Sequence, residues 1–177
     1  MKKILFSLAL AAFAVSLFAA SPAVKGTEKV ILDGFKITTP AKPQKGQTTK
    51  EWVKGWGLAG VAGIEKGAVA LKHGVMYGFC VHVTEPRTFI LTVKASAPAN
   101  APGAKLTGYF STCVRKPGDK KPFIHEKRTV FGPFALTAEA KEYKVEYNVA
   151  AHEQGYLYIG GENVNILSVR IVSKPVK

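Results

Sequence analysis

The chain is poor in acids and poorer still in cysteine. Asp and Glu number 12 against 25 Lys and Arg in 177 residues, a formal charge of +13, and no acid precedes Glu28. Such a balance excludes an acidic protein and favours anionic partners. The two cysteines, Cys80 and Cys113, lack Cys-x-x-Cys spacing and cannot by themselves make a structural zinc site. His73, His82, His125 and His152 are scattered without metal-ligand spacing, so no metal site is expected. There is no G-x-S-x-G nucleophile motif and no partner set for a Ser or Cys nucleophile, so no enzyme activity is expected. Composition also excludes a coiled coil and a multi-span membrane protein. What remains, with 47% hydrophobic and 21% charged residues, is ordinary globular composition at the size of one domain.

The longest uncharged stretch stands at the start. Lys2-Lys3 precedes an apolar run over 4–20, which ends in small residues before Ser21-Pro22-Ala23. This is the pattern of a secretory signal peptide over 1–20, with cleavage near Ala20 or Ala23. An uncleaved anchor is the alternative; the run is short for a span of about 20 residues, which favours cleavage. A short lead over 21–27 and one domain over 28–174 would follow. The mature chain would be secreted or periplasmic, without stable membrane insertion. Its charge would be 13 − 2 = +11, since Lys2 and Lys3 are the only charges lost. Nucleic acid is not an expected partner in that compartment; acidic polysaccharide or an anionic envelope is.

Alternation dominates after Glu28. Phe89, Leu91 and Val93 share one face of their segment; Leu106, Phe110 and Val114 face away from Tyr109, Ser111, Cys113 and Arg115. Residues 142–149 alternate without exception, and in 77–83 the odd positions are apolar. A period of two means strands with one buried and one solvated face. Further strands are expected at 30–38, 68–72, 124–131, 156–159 and 163–172, with turns at Pro117-Gly118-Asp119, Gly132-Pro133 and Gly160-Gly161. Gly63 and Gly67 weaken a helical pattern over 61–71. About nine short strands so spaced predict an all-β fold, a single antiparallel β-sandwich or jelly roll.

Cys80 and Cys113 both fall opposite the apolar sets of their strands, and an oxidising compartment permits them to pair. One intramolecular disulfide is expected, closing a loop that chain-entropy reasoning values at roughly 3–4 kcal/mol. Two separate buried thiols are the alternative.

Gly55-Trp56-Gly57-Leu58-Ala59-Gly60 matches G-x-G-x-x-G, but glycines follow it and no acid stands near residue 75, so a flexible loop is expected rather than a dinucleotide site. Glu142 and Glu146 share a strand face with lysines around them and read as solvated surface rather than a carboxylate pair. Trp52 and Trp56 in a glycine-containing segment either bury or bind something. Tyr109 projects on the face of Arg115, and an aromatic ring beside a hydrogen-bond donor is a common way to hold a sugar. Trp52, Trp56, Tyr109 and Arg115 are therefore the candidate ligand-binding residues. A basic cluster of Arg115, Lys116, Lys120 and Lys121, followed by Lys127-Arg128, is expected at a hairpin tip.

Four stretches carry a family resemblance. Leu32-Asp33-Gly34-Phe35 followed by Trp52 is similar to an "N-G-x-F-E … W" opening, and 88–95 to a strand ending in "x-A-K-A". Residues 134–145 resemble "F-x-L-T-x-E-W-K-x-Y-x-V", and 164–171 resemble a closing "V-x-I-D-x-V-x-I". Together they resemble the carbohydrate-binding modules of the galactose-binding-like jelly-roll group, found beside secreted cellulases and xylanases. The resemblance implies a non-catalytic, glycan-binding jelly roll; no cofactor is expected, and the structural calcium ion common in that group is put in doubt by departures of this sequence. Lys36 and Leu167 replace acids that commonly help to hold a structural calcium ion in that group, and Ala140 replaces its Trp. An envelope protein using the fold without a sugar site is the alternative, and a small glycan-active enzyme a third.

Overall fold

In the computed structural model, residues 28–38, 52–114, 127–151 and 153–176 are described; the side chains of Trp52, Phe79, Cys80, His82 and Val114 fall outside that set. The signal-peptide segment, the 115–126 basic cluster and Arg115 with it also lie outside the described residues.

The described chain is all β. Its strands are β1 (Lys29–Asp33), β2 (Ile37–Thr38), β3 (Trp52–Val53), β4 (Trp56–Glu65), β5 (Ala68–His82), β6 (Arg87–Ser96), β7 (Lys105–Val114), β8 (Lys127–Ala135), β9 (Lys141–Val149) and β10 (Glu153–Pro175). Every pairing is antiparallel, and the pairings nest: β7 with β8, β6 with β9, β5 with β10. Nested pairing of this kind is one long hairpin rolled into two layers, a jelly-roll sandwich. The long β10 belongs to both layers. Its first part lies between β5 and β7, giving the order β4-β5-β10-β7-β8; its last part lies between β1 and β6, giving β1-β10-β6-β9.

The interior between the layers holds the expected alternating faces. Phe89, Leu91 and Val93 face Leu106, Phe110, Leu157 and Ile159, all at most 1% exposed. Each such side chain contributes about 1.5–3 kcal/mol of apolar burial. Glu142 and Glu146 are exposed on β9, as the alternation requires, and Glu146 accepts from Lys174 Nζ at 3.4 Å.

Several expectations are corrected. Gly160-Gly161 is not a turn: both lie inside β10, paired to β5 on one side and β7 on the other, so the ladder carries the chain through. Gly132-Pro133 lies within β8 where the register with β7 shifts. The segment 55–60 is no flexible loop, because Trp56–Glu65 pairs along β5. The turn instead falls at Lys66-Gly67, with φ of 50° and 79°. A two-residue hairpin of type I′ needs positive φ at both central positions, which glycine at the second supplies readily.

The backbone register argues against the expected Cys80–Cys113 disulfide. Cys80 pairs with Tyr156 on one side of β10, and Cys113 with Gln154 on the other. Two strand spacings separate the backbones by roughly 9.5 Å, beyond the roughly 6.8 Å that a disulfide spans between Cα atoms. Cys113 is 2% exposed, with its Sγ 3.5 Å from the Gln154 carbonyl oxygen.

Candidate functional site

The two outer faces of the sandwich differ in kind. On the β1-β10-β6-β9 layer, charges cancel in pairs: Arg170 lies 3.7 Å from Asp33, and Lys174 pairs with Glu146. Exposed pairs of this kind contribute little beyond solubility. The outer face of the β4-β5-β10-β7-β8 layer instead carries aromatic rings.

Tyr77, Tyr158 and Tyr109 occupy one cross-strand row, because β5, β10 and β7 set them directly opposite one another. Tyr109 and Tyr158 stack at 4.4 Å with 19° between planes, and Tyr77 and Tyr158 at 6.1 Å with 20°. Arg128 on β8, opposite Ser111, reaches diagonally to the end of the row, its guanidinium carbon 5.0 Å from the Tyr109 centroid, a cation–π contact of about 0.5–1 kcal/mol at an exposed site. At the other end the Tyr77 ring lies over Gly57, where a Cβ would come within 2.7 Å of the Tyr77 hydroxyl. The rings thus turn their faces to each other and leave edges and hydroxyls for whatever lies beside them. Withdrawal of Tyr158 from water within the stack pushes its phenol above the ordinary tyrosine value; Tyr109 adds to this, and the Arg128 charge opposes it.

Beside the tyrosines lies a concavity of about 830 Å³. Its floor is the next row, Ala59, Val75, Gly160 and Thr107, in register across four strands. Thr107 donates its hydroxyl to the Phe131 carbonyl oxygen at 3.1 Å, which leaves its methyl to the floor. A third row, His73, Glu162 and Lys105, forms the far wall. An apolar floor between hydroxyls and charges suits a flat ligand with an apolar face and a polar rim. Among the described residues no group of three or more His, Cys, Asp or Glu could hold a metal ion.

Of the residues singled out from sequence, Tyr109 stands in this site. Trp56 does not: it pairs with Gly78 on the inward side of β4 and is 7% exposed, a core residue withdrawn from ligand. The backbone of Trp52 pairs with Thr38 in the small β2–β3 ladder; its side chain and all of Arg115 are outside the described residues. Sequence reasoning missed Tyr77 and Tyr158, read Gly160 as a turn, and noted Arg128 only as part of the basic cluster. Tyr156-Leu157-Tyr158-Ile159 held a signal, since alternation with Leu157 and Ile159 puts the tyrosines outward. Tyr77 held none: it belongs to an apolar odd series, and the register shift between its row and Cys80 reverses its side.

No family model matches the chain, and no curated protein matches it. It is similar to several solved structures. A ruminal GH26 endo-β-1,4-mannanase aligns over 64% of this chain at 9% identity with a TM-score of 0.41, and the chain spans 20% of that protein. A CBM35 module in complex with a glucuronic acid-containing disaccharide aligns over 85% of this chain and 98% of its own, at 9% identity and a TM-score of 0.38. The C-terminal CBM6 of LamC, a marine laminarinase from Zobellia galactanivorans, aligns over 82% of this chain and 97% of its own, at 13% identity and a TM-score of 0.34. Carbohydrate-binding modules of the CBM35 and CBM6 kinds are thus among the solved structures to which this jelly roll is similar.

Proposed function

We propose that the chain is an exported, non-catalytic glycan-binding protein and that the tyrosine-walled concavity is its site. The observation that carries this reading is the outward-facing row Tyr77–Tyr158–Tyr109 bordering an apolar floor at Gly160. A sugar ring laid on that floor buries its C–H face and meets tyrosine hydroxyls on one side and His73, Glu162 and Lys105 on the other. Lys105 in the far wall and Arg128 over Tyr109, with the +11 formal charge of the exported chain (13 − 2), support a preference for acidic glycans.

A glycan array tests the reading, followed by calorimetry on each hit. Tyr158→Ala should lower affinity at least about tenfold, a loss of 1.4 kcal/mol. Arg128→Ala should weaken uronate or sulfated ligands only, and that preference should shrink with salt, since exposed charges are screened over about 8 Å at physiological ionic strength. Absence of binding to any glycan overturns the reading and leaves the fold to an envelope interaction protein.

A further inference from the structure

The concavity is closed on two sides and open on the other two. Along the strand direction it is bounded by the tyrosine row and by the row of His73, Glu162 and Lys105. Across the strands it runs from β4, through β5, β10 and β7, to β8, and both β4 and β8 are edges with no further strand among the described residues. Among the described residues no bulky side chain closes either mouth: Ala59 is exposed at the β4 end, and Val130, 69% exposed, and Pro133 flank the β8 end. Five strands at their ordinary spacing make this a trough roughly 19 Å long.

Depth in the middle comes from Gly160. A Cβ built there would sit 3.5 Å from the Gly74 carbonyl oxygen and 3.8 Å from the Thr107 methyl, in ordinary contact, and no positive φ holds the position to glycine. The fold therefore tolerates a side chain at 160, and what glycine provides is open floor. A site built to grip a chain end has a blind wall against that end; here none of the described residues stands across the path.

From this we infer that the trough takes the interior of an extended, unbranched glycan chain lying across the strands, rather than a terminal sugar. The inference rests on the glycan-binding reading above and refines it to a substrate class. A linear chain threads past both edge strands, each ring lying flat over the floor row, with its hydroxyls to the tyrosine side and to the charged side in turn. A branch point on the buried side would collide with the tyrosine row, so substitution along the chain is tolerated only on the solvent side.

Calorimetry with oligogalacturonides and cello-oligosaccharides of one to six units, together with polygalacturonate, tests this on the full exported chain. In the series that binds, affinity should rise at least about tenfold from dimer to tetramer and level off once the fragment matches the trough. Borohydride reduction of the terminal unit should leave hexamer affinity unchanged. Gly160→Val should lower hexamer affinity at least about tenfold with an unchanged thermal melt, and Gly160→Ala by less. A monomer that binds as tightly as the hexamer, or loss of binding on reduction of the chain end, overturns the inference while glycan binding stands. Full hexamer affinity in a folded Gly160→Val protein overturns it too, since the chain then does not cross the floor. No binding of any fragment or polymer overturns both readings.

Discussion

Phe110 of β7 and Tyr147 of β9 stack across the interior, their centroids 4.1 Å apart with 26° between the ring planes. Phe89, the partner of Tyr147 in the β6–β9 ladder, also stacks on it, at 5.7 Å. One ring from each layer thus ties the two sheets together, which no cross-strand pair within a sheet can do. The Tyr147 hydroxyl is buried with that ring and has no hydrogen-bond partner among the described residues.

An unpaired buried hydroxyl costs stability, so Tyr147→Phe should stabilise the domain by about 1 kcal/mol. For a domain of this size that raises Tm by roughly 2–4 °C. Tyr147→Ala should cost about 3–5 kcal/mol, because it opens a cavity between Phe89 and Phe110. Thermal melts of the two variants check both; a Tyr147→Phe protein that melts below the parent would show that the hydroxyl is satisfied.

Burial also holds the Tyr147 phenol well above the ordinary tyrosine value. A folded-state pKa above the unfolded value of about 10 stabilises the protein fully below that pH and loses its contribution as pH rises further. Stability should therefore fall above about pH 10, and the fall should be shallower in Tyr147→Phe. Denaturant midpoints measured from pH 8 to pH 11.5 read this directly; parallel curves for the two proteins would refute it.

Gly57→Ala should break the tyrosine row without unfolding the sheet. The added methyl overlaps the far end of the Tyr77 side chain, which is 41% exposed and free to swing away. The near-UV circular dichroism of the tyrosines should drop while Tm changes by less than about 1 kcal/mol equivalent. An unchanged tyrosine signal would mean that Tyr77 does not depend on the gap at Gly57.

Reducing agent should leave Tm unmoved. A bridge between Cys80 and Cys113 would have contributed roughly 3–4 kcal/mol by chain entropy, and their removal to opposite sides of β10 forgoes it. A clear drop in Tm with dithiothreitol would contradict this strand order.

Period-two alternation determined by itself that Phe89, Leu91 and Val93, and likewise Leu106 and Phe110, would be interior, because each side of a strand meets one environment along its length. It also placed Tyr109 outward and the carboxylates of β9 in solvent. Local pattern does not carry across a bulge, so Tyr77 read as interior and stands outside. Nor does it say which strands are neighbours. Strand order alone set Tyr77 and Tyr109 on either side of Tyr158, put Gly160 in the row beside them, and moved Cys80 away from Cys113. Trp56 shows the same division: composition allowed either burial or binding for a tryptophan in that segment, and pairing with Gly78 on the inward side of β4 decided for burial. Contacts between residues far apart in the chain come from the rolling of the nested hairpin, and that information exists only once the sheets have closed on one another.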